Sequence, residues 1–259
     1  MLGQERQAKI IQMLQEQRIV KISEIVRDFE VSNETARRDL AAIQEMGIAK
    51  RIYGGAVLQD ANDHTYKVSS VKPQPHGDAD LNAVAKKAAS LIKDGESIAM
   101  GPGTTVLEIA KHIKYRKDLT VITNSIHILT ELMYADVNLY MLGGQLNHDE
   151  LDLAGSLTTE NLDKFFVDKA FIGAGGVSFE CGISEYSTEE ASLKKQYCEH
   201  AGKVYLVSGS SKFGVNALSI SMPLKGVDAI VTDTGLPRDY AARIQEMGIE
   251  LILVDPANP

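Results

Sequence analysis

The sequence has few cysteines, no long apolar run and no excess of positive charge. Cys181 and Cys198 are its two cysteines, so we do not expect a disulfide framework, and a reducing compartment is the natural one. No stretch of 18 or more apolar residues occurs, which argues against a transmembrane helix. Residues 1–7 are polar and lack the apolar centre of a secretory signal. These absences predict a cytoplasmic protein that does not enter a membrane.

Charge is unevenly distributed along the chain. Residues 1–58 carry nine basic and eight acidic residues, a net charge of +1, whereas residues 59–259 carry 18 basic and 27 acidic residues, a net charge of −9. A segment so close to neutrality can bind nucleic acid only if its cations lie on one face. The acidic remainder would be repelled by nucleic acid, so we expect it to bind something else.

Apolar periodicity in residues 1–58 predicts three helices followed by a β-hairpin. Ser32 is placed to cap the third helix, and Gly47 is placed to end it in a left-handed conformation. This order of elements is typical of a winged helix-turn-helix domain. The helices are expected at 3–16, 22–29 and 33–46, and the hairpin at 48–58.

The helix that begins at Asn33 is the predicted recognition helix, because the first residues of such a helix reach base edges in the major groove. Arginine pairs there with guanine and asparagine with adenine, while basic residues on the wing contact phosphates. Arg38 faces a base, the DNA backbone or Asp39, and the sequence leaves these alternatives open. A helix-turn-helix used only for protein contacts is disfavoured by its basic residues. The predicted DNA-binding residues are Ser32, Asn33, Glu34, Thr35, Arg37, Arg38, Lys50, Arg51 and Tyr53.

Residues 3–58 resemble the DeoR-type helix-turn-helix. The family usually has Ile where Ala36 stands and His where Tyr53 stands, and the second difference lies at the predicted wing tip. The resemblance implies a transcriptional regulator that binds double-stranded operator DNA. The matching motifs are Val31-Ser32, Thr35-Ala36-Arg37-Arg38-Asp39-Leu40, Gly47, Arg51 and Gly54-Gly55-Ala56.

Residues 79–259 alternate between amphipathic helices and short apolar strands. This alternation predicts an α/β domain with a mainly parallel sheet covered on both faces. Residues 59–78 are polar and interrupted by prolines, which indicates a linker. The predicted domains are therefore a winged helix-turn-helix at 1–58, a linker at 59–78 and an effector-sensing α/β domain at 79–259.

Glycine and hydroxyl residues follow several predicted strands, where open α/β sheets bind ligands. The Gly101–Thr105 segment precedes a helix, whose free N–H groups suit an anion such as phosphate. Lys212 can add a cation. Glu190 and Lys194 lie four residues apart on a helix, and they form either a surface ion pair or part of the site. The predicted effector-binding residues are Gly103, Thr104, Thr105, Asn124, Ser125, Gly143, Gly144, Gly175, Glu190 and Lys212.

Residues 79 to about 233 resemble the DeoR C-terminal sensor domain. The resemblance implies a fold similar to ribose-5-phosphate isomerase and glucosamine-6-phosphate deaminase, used to sense a phosphorylated sugar or related metabolite. The family commonly has Asp where Gly101 and Gly209 stand, and carboxylates there would hold sugar hydroxyls or act in acid–base chemistry. The matching motifs are Gly103-Thr104-Thr105, Thr123-Asn124-Ser125, Leu142-Gly143-Gly144, Gly155, Gly173 with Gly175-Gly176, Glu190-Ala191 with Lys194, and Ser211-Lys212-Phe213-Gly214.

The sequence therefore predicts a DNA-binding repressor controlled by a phosphorylated metabolite. We expect a homo-oligomer, because one recognition helix reads few base pairs and two-fold pairing doubles the site. No catalytic residue, metal ligand or cofactor is predicted. The alternative is a sugar-phosphate isomerase or deaminase with an accessory DNA-binding domain, for which Glu190 and Lys212 remain but the carboxylates absent at Gly101 and Gly209 are missing.

Overall fold

The computed structural model describes residues 3–17, 19–29, 31–46, 48–52, 55–58, 78–148 and 150–257. The chain divides into two compact units, Met1–Val71 and Lys72–Pro259. Within the described ranges, no helix combines the length and apolar character that a bilayer span requires.

The N-terminal unit has three helices and a three-stranded antiparallel sheet, in which the third strand lies between the other two. The three helices and the hairpin confirm the sequence prediction. The strand before the second helix was not predicted, because three residues are too few to show a periodic pattern. Gly47 and the hairpin-turn residues Tyr53 and Gly54 lie outside the described residues. The elements are α1 (Gly3–Gln17), β1 (Ile19–Lys21), α2 (Ile22–Phe29), α3 (Asn33–Glu45), β2 (Ala49–Ile52) and β3 (Gly55–Leu58).

A buried ion pair fastens α1 to α3 beside the apolar core of this unit. Asp39 is 4% exposed, and its carboxylate accepts hydrogen bonds from Arg6 Nε at 2.6 Å and Arg6 Nη2 at 3.2 Å. Gln7 Nε2 donates a third bond at 3.2 Å. The hydrogen bond to Asp39 raises the pKa of Arg6 above its ordinary value. Asp39 therefore positions α3 rather than facing a ligand.

The C-terminal unit is built around a seven-stranded parallel sheet with helices on both faces, as predicted. Three helices pack on one face around a core that includes Val106 and Ile128, and three pack on the other around a core that includes Leu193 and Tyr197. The helices are α4 (Asp78–Ser90), α5 (Thr104–Ile113), α6 (Ile126–Leu132), α7 (Ser156–Leu162), α8 (Thr188–Glu199) and α9 (Arg238–Glu246). The strands are β4 (Ser97–Met100), β5 (Thr120–Thr123), β6 (Asn138–Met141), β7 (Gln145–Asn147), β8 (Asp152–Ala154), β9 (Val167–Ile172), β10 (Gly176–Ser178), β11 (Gly182–Glu185), β12 (Ala201–Val207), β13 (Ser219–Met222), β14 (Ala229–Asp233) and β15 (Glu250–Val254).

The order of strands in the large sheet, β15-β14-β12-β9-β4-β5-β6, reverses direction next to its first strand. Along the chain, β4 is the first strand of this sheet. β5 and β6 then join on one side of β4, and β9 joins on its other side. In open α/β sheets, the carboxyl ends of strands at such a reversal flank a ligand-binding crevice. The ends of β4 and β9 therefore mark the expected place for a ligand.

Two small antiparallel sheets were not predicted from the sequence. One is the β7–β8 hairpin, and the other has the order β10-β11-β13. All five of these strands have three or four residues, too few for alternation to be distinguished from loop sequence. Two strands of the β10-β11-β13 sheet follow β9 directly, and the third follows β12.

Replacing Asp39 should destabilise the N-terminal unit, because Arg6 would lose its buried partner. We expect Asp39→Ala to lower the free energy of unfolding by about 1–3 kcal/mol, measured by denaturant titration. The control is Asp28→Ala, which removes an exposed pair with Arg27 and should change stability little. Equal effects of the two substitutions would contradict a stabilising role for the Arg6–Asp39 pair.

Replacing Gly144 should strain the loop after β6. A Cβ atom there would overlap Thr158 Oγ1 and lie 2.6 Å from the Ala154 carbonyl oxygen, at φ +128°. Gly155 has φ +96°, but a Cβ atom built on it would meet no other atom within 4 Å, so Gly155→Ala isolates backbone strain from steric overlap. We expect Gly144→Ala to cost about 1–3 kcal/mol more than Gly155→Ala in thermal unfolding. Similar losses of stability in the two variants would show that Thr158 and Ala154 can move away from the new Cβ atom at little cost.

Candidate functional site

The predicted recognition helix begins at a side-chain cap. Ser32 has the extended backbone of an N-cap, and its Oγ accepts a hydrogen bond from the Thr35 backbone N–H at 3.1 Å. The Ser32 and Thr35 hydroxyls also lie 2.9 Å apart. This confirms that Ser32 is a cap, and it shows that both side chains help to fix the start of α3.

The polar side of α3 is exposed, and its apolar side is buried. Ala36 and Leu40 are fully buried, whereas Asn33, Glu34 and Arg38 are exposed. Asp39 already accepts bonds from α1, so the Arg38–Asp39 alternative has no support. The exposed residues lie where a recognition helix would present them to a groove.

Three other predicted DNA-binding residues can be assigned to an element of secondary structure. Arg37 belongs to α3, and Lys50 and Arg51 belong to β2, the first strand of the predicted wing. Tyr53 lies outside the described residues. The helix and the wing thus carry the basic residues that the sequence singled out.

The loop from β4 to α5 lies at the reversal of the large sheet. Gly103 occupies the N-cap position of α5 with φ 137°, and no side chain caps the helix. Thr104 is exposed, and Thr105 is 7% exposed. Both threonines lie inside the helix rather than at its N-cap position, and no described side chain caps the first N–H groups of α5. Such groups, together with the helix dipole, favour a bound anion.

The loop after β9 closes the other side of this crevice. A Cβ atom on Gly173 would lie 3.9 Å from the Pro102 carbonyl oxygen, so the two loops adjoin. Farther along, the Gly175 N–H donates to Glu185 Oε2 at 3.1 Å. A Cβ atom on Gly175 would lie 3.1 Å from that oxygen and 3.0 Å from the Ser184 carbonyl oxygen, which explains the glycine at this position.

Lys212 lies in a 3₁₀ turn, Ser210–Lys212, that follows β12. Ser210 N–H donates to Asp233 Oδ2 at 2.7 Å, and the Gly214 N–H donates to the Val177 carbonyl at 2.8 Å. These two bonds fix the Lys212 turn between the end of β14 and β10. The turn therefore runs beside the loop that contains Gly175.

Asp233 is a buried carboxylate that sequence analysis missed. Its Oδ2 lies 3.7 Å from the position of a Cβ atom on Gly209. Gly209 is one of the two positions at which the family commonly has Asp. Its oxygens accept bonds from the Ser210 and Gly235 N–H groups. The signal was an aspartate at the end of an apolar strand, but its backbone partners depend on the fold.

A cluster of buried charges lies at the end of β11 and the start of α8. The Lys194 ammonium, 3% exposed, bonds to Glu185, which is 2% exposed, and lies 3.8 Å from Glu190 Oε1. Burial alone would lower the pKa of Lys194, but Glu185 and Glu190 raise it overall. The surface ion-pair interpretation of Glu190 and Lys194 is therefore wrong for Lys194, whose main partner is Glu185. Sequence analysis missed Glu185.

Glu190 is the partly accessible member of the cluster. Its side chain is 25% exposed. Burial, together with the nearby carboxylates of Glu185 and Glu150, raises the pKa of Glu190 to about 8, although Lys194 opposes the shift. Carboxyl groups with such perturbed pKa values in a crevice are candidates for function.

The predicted residues after β5 have internal partners. Asn124 Nδ2 donates to the Leu153 carbonyl at 2.9 Å, and Asn124 Oδ1 accepts from the Tyr197 hydroxyl at 2.9 Å. Ser125 Oγ caps α6 by accepting from Ile128 N–H at 3.4 Å. These side chains hold the β5 end of the crevice in place.

Gly143 and Gly144 follow β6 and shape the loop there. Thr158 Oγ1 donates to the Gly143 carbonyl at 2.7 Å, and Gly143 has φ 72°. At Gly144 the segment approaches Thr158 of α7 too closely for a larger residue. Among the residues that the structure describes, no group of three or more His, Cys, Asp or Glu side chains is arranged to hold a metal ion.

Comparisons with known proteins match both units. Residues 6–62 match the DeoR-like helix-turn-helix domain, and residues 80–234 match the DeoR C terminal sensor domain. The chain is 33% identical over 256 residues to a putative aga operon transcriptional repressor of Escherichia coli O157:H7, covering 96% of this chain and 93% of the relative. It is also 33% identical over 231 residues to the lactose phosphotransferase system repressor of Lactococcus lactis subsp. lactis, covering 88% of this chain and 90% of the relative.

Among solved structures, ribose 5-phosphate isomerase A from Methanocaldococcus jannaschii matches at 22% identity and a TM-score of 0.39, covering 51% of this chain and 53% of that one. The two family matches span the helix-turn-helix and most of the parallel sheet. The chain therefore belongs to the DeoR family of DNA-binding transcriptional regulators.

Proposed function

We propose that the protein is a cytoplasmic repressor whose DNA binding changes when a phosphorylated sugar or related metabolite occupies the β4–β9 crevice. The observation that carries the effector half of this proposal is the uncapped start of α5 at the reversal of the sheet. The names of the two relatives, repressors of an aga operon and of a lactose phosphotransferase system, support repression and a link to sugar metabolism.

DNA recognition is assigned to the exposed side of α3 and to the wing. Asn33, Glu34 and Arg38 reach outward from α3, and Lys50 and Arg51 lie on β2. The C-terminal part of the chain is strongly acidic, so phosphate repulsion favours contact through the N-terminal unit. A homo-oligomer would present two such units to an operator with two half-sites.

The effector's phosphate is assigned to the start of α5. Thr104 and Thr105 offer N–H groups and hydroxyls there, and the Lys212 turn can supply a cation. Charge-assisted bonds from N–H groups and an ammonium are about twice as strong as neutral hydrogen bonds. Gly175 and Glu190 then lie along the rest of the crevice, where a sugar's hydroxyls would be placed. Asn124, Ser125, Gly143 and Gly144 shape its other end.

The isomerase or deaminase alternative is not favoured, since the relatives are transcriptional regulators. The buried carboxylates also have internal roles. Glu185 bonds to Lys194 and to Gly175 N–H, and Asp233 bonds to two backbone N–H groups. Neither is free to move protons on a substrate without losing a structural bond.

Effector binding can alter operator affinity only if the protein has two states, one that binds DNA well and one that does not, and the effector binds one of them more tightly. A ligand present at about 100 times its dissociation constant stabilises the state it binds by about 2.7 kcal/mol. That is enough to change operator affinity by roughly a hundredfold. The predicted linker at 59–78 is the segment through which we expect the two units to be coupled.

Replacing Arg38 should weaken operator binding and relax base preference. We expect Arg38→Ala to cost about 1–3 kcal/mol at one position of an operator selected from a random duplex library. Lys50→Ala should instead lower affinity on all sequences and reduce the salt slope by about one. Lys9→Ala, which removes an exposed charge from α1, is the matched control. Undiminished affinity in a folded variant lacking Arg37, Arg38, Lys50 and Arg51 would exclude this surface.

Replacing Thr105 and Lys212 should abolish the effector response without releasing DNA. We expect Thr105→Val and Lys212→Met to bind the operator normally, while sugar phosphates no longer raise the melting temperature or release the operator. Lys225→Met is the matched control, because Lys225 is exposed and also lies in a 3₁₀ turn, Leu224–Gly226. A normal response in Lys212→Met would remove Lys212 from the site, and a normal response in both variants would remove the site.

A further inference from the structure

The buried cluster at the start of α8 contains two carboxyl groups and one ammonium. Lys194 is enclosed, and its ammonium bonds to Glu185 Oε1. Glu185 Oε2 accepts the Gly175 N–H at 3.1 Å. Both oxygens of Glu185 thus accept hydrogen bonds, one of them from the ammonium of Lys194.

The second carboxyl group, that of Glu190, lies against the first. The Glu185 and Glu190 carboxyl groups both approach the Lys194 ammonium, so they lie close together, and they can share a hydrogen bond only if one of them carries a proton. Lys194 Nζ lies 3.8 Å from Glu190 Oε1, beyond an ordinary hydrogen bond. The ammonium therefore donates to Glu185 and forms only a longer ion pair with Glu190.

The other groups that face Glu190 also favour its neutral form. Glu150, which precedes β8, adds a negative charge, and Glu185 adds another from β11. Tyr186, next along the chain, has its pKa raised by burial and by Glu185 and Glu190. On α8 itself, Lys194 is the cation that acts on Glu190, and the Glu190 N–H is held by the Ser187 cap at 3.0 Å. One cation among three carboxylates leaves an excess of negative charge that a proton would relieve.

We propose that Glu190 is a neutral carboxylic acid at physiological pH, that it donates its proton to Glu185, and that its second oxygen accepts a hydrogen bond from an effector hydroxyl. The location of the effector rests on the function proposed above. The expected ligand is a phosphorylated sugar or polyol that places an uncharged hydroxyl next to Glu190. An amino sugar would place its ammonium beside a carboxyl group that is neutral and cannot form an ion pair with it.

Glu190 thereby makes effector binding depend on pH. The pKa of Glu190 is raised to about 8, so above that pH the crevice gains a negative charge beside an anionic ligand. Linkage then lowers affinity by up to about tenfold for each further pH unit. A phosphate ester is already almost fully ionised at pH 7.5, so a loss of affinity between pH 7.5 and 9 reports the protein and not the ligand.

The test of the proton uses the full-length protein and infrared difference spectroscopy. We expect the carbonyl stretch of a protonated carboxyl group at pH 7, its loss as pH rises through about 8, and its absence in Glu190→Gln. Glu189→Gln, which changes the exposed neighbour on the same helix, should keep the band. If Glu190→Gln does not fold, the loss of the band in the wild-type protein as pH rises still tests the proposal. A folded wild-type protein without this band at pH 7 would overturn the proposal.

The pH dependence of unfolding tests the proton on Glu190 independently, and its expected direction follows from the pKa of Glu190. The pKa of Glu190 is higher in the folded protein than its ordinary value of 4.5, so the folded state holds the extra proton between these values. Stability from Glu190 is therefore greatest below pH 4.5 and falls as pH rises towards 8. Relative to Glu190→Gln, the wild-type unfolding constant should rise about tenfold per pH unit in this window. Parallel pH profiles of the two proteins would contradict the assignment.

The ligand class is tested with hexose 6-phosphates and their 2-amino analogues at pH 7. We expect the neutral sugars to bind more tightly, and their affinity to fall from pH 7.5 to 9 in the wild type and Glu189→Gln but not in Glu190→Gln. Tighter binding of the amino sugars would overturn the ligand class. Failure of every phosphorylated ligand would refute the proposed effector site while leaving the infrared result intact, so the two failures are distinguishable.

Discussion

The crevice depends on one buried bond, between the ammonium of Lys194 and the carboxylate of Glu185. It joins α8 to β11, and Glu185 extends the connection to the loop after β9 through the Gly175 N–H. Removing one partner of a buried pair leaves an unpaired charge, which typically costs about 3–5 kcal/mol. A single pair therefore holds together the helix, the small sheet and the glycine loop that surround the expected ligand.

The sequence was sufficient to predict what depends on local pattern. Fully buried strands read as apolar runs, so the parallel sheet and its covering helices could be predicted, and Ser32 was identifiable as a cap from its chemistry alone. Contacts between distant segments could not be predicted. The i, i+4 spacing indicated a Glu190–Lys194 pair, yet the main partner of Lys194 comes from β11, and the small sheet containing β11 has strands too short to recognise. Asn124 was predicted at the ligand, but its internal bonds to Leu153 and Tyr197 depend on tertiary packing.

One of the two glycines that differ from the usual family residues, Gly209, acquires a physical explanation from the fold. A Cβ atom on Gly101 would lie 3.8 Å from the ring of Tyr197, a contact that any small side chain could make. A Cβ atom on Gly209 would lie 3.7 Å from Asp233 and 3.3 Å from Leu81. A carboxylate at position 209 would thus face the buried charge of Asp233, whereas glycine avoids that repulsion.

With no carboxylate at positions 101 and 209, the polar recognition of an effector must come from elsewhere along the crevice. Glu185 and Asp233 are committed to internal bonds, and Asn124 is held by its neighbours. Glu190 keeps 25% of its side chain exposed, unlike Glu185 and Asp233, and it lies in a cluster that already contains more negative than positive charge. An anionic ligand can approach such a group closely only when the group is neutral. The glycines and the shared proton are therefore two parts of one arrangement, in which positions 101 and 209 carry no carboxylate and the carboxyl group of Glu190 carries no charge.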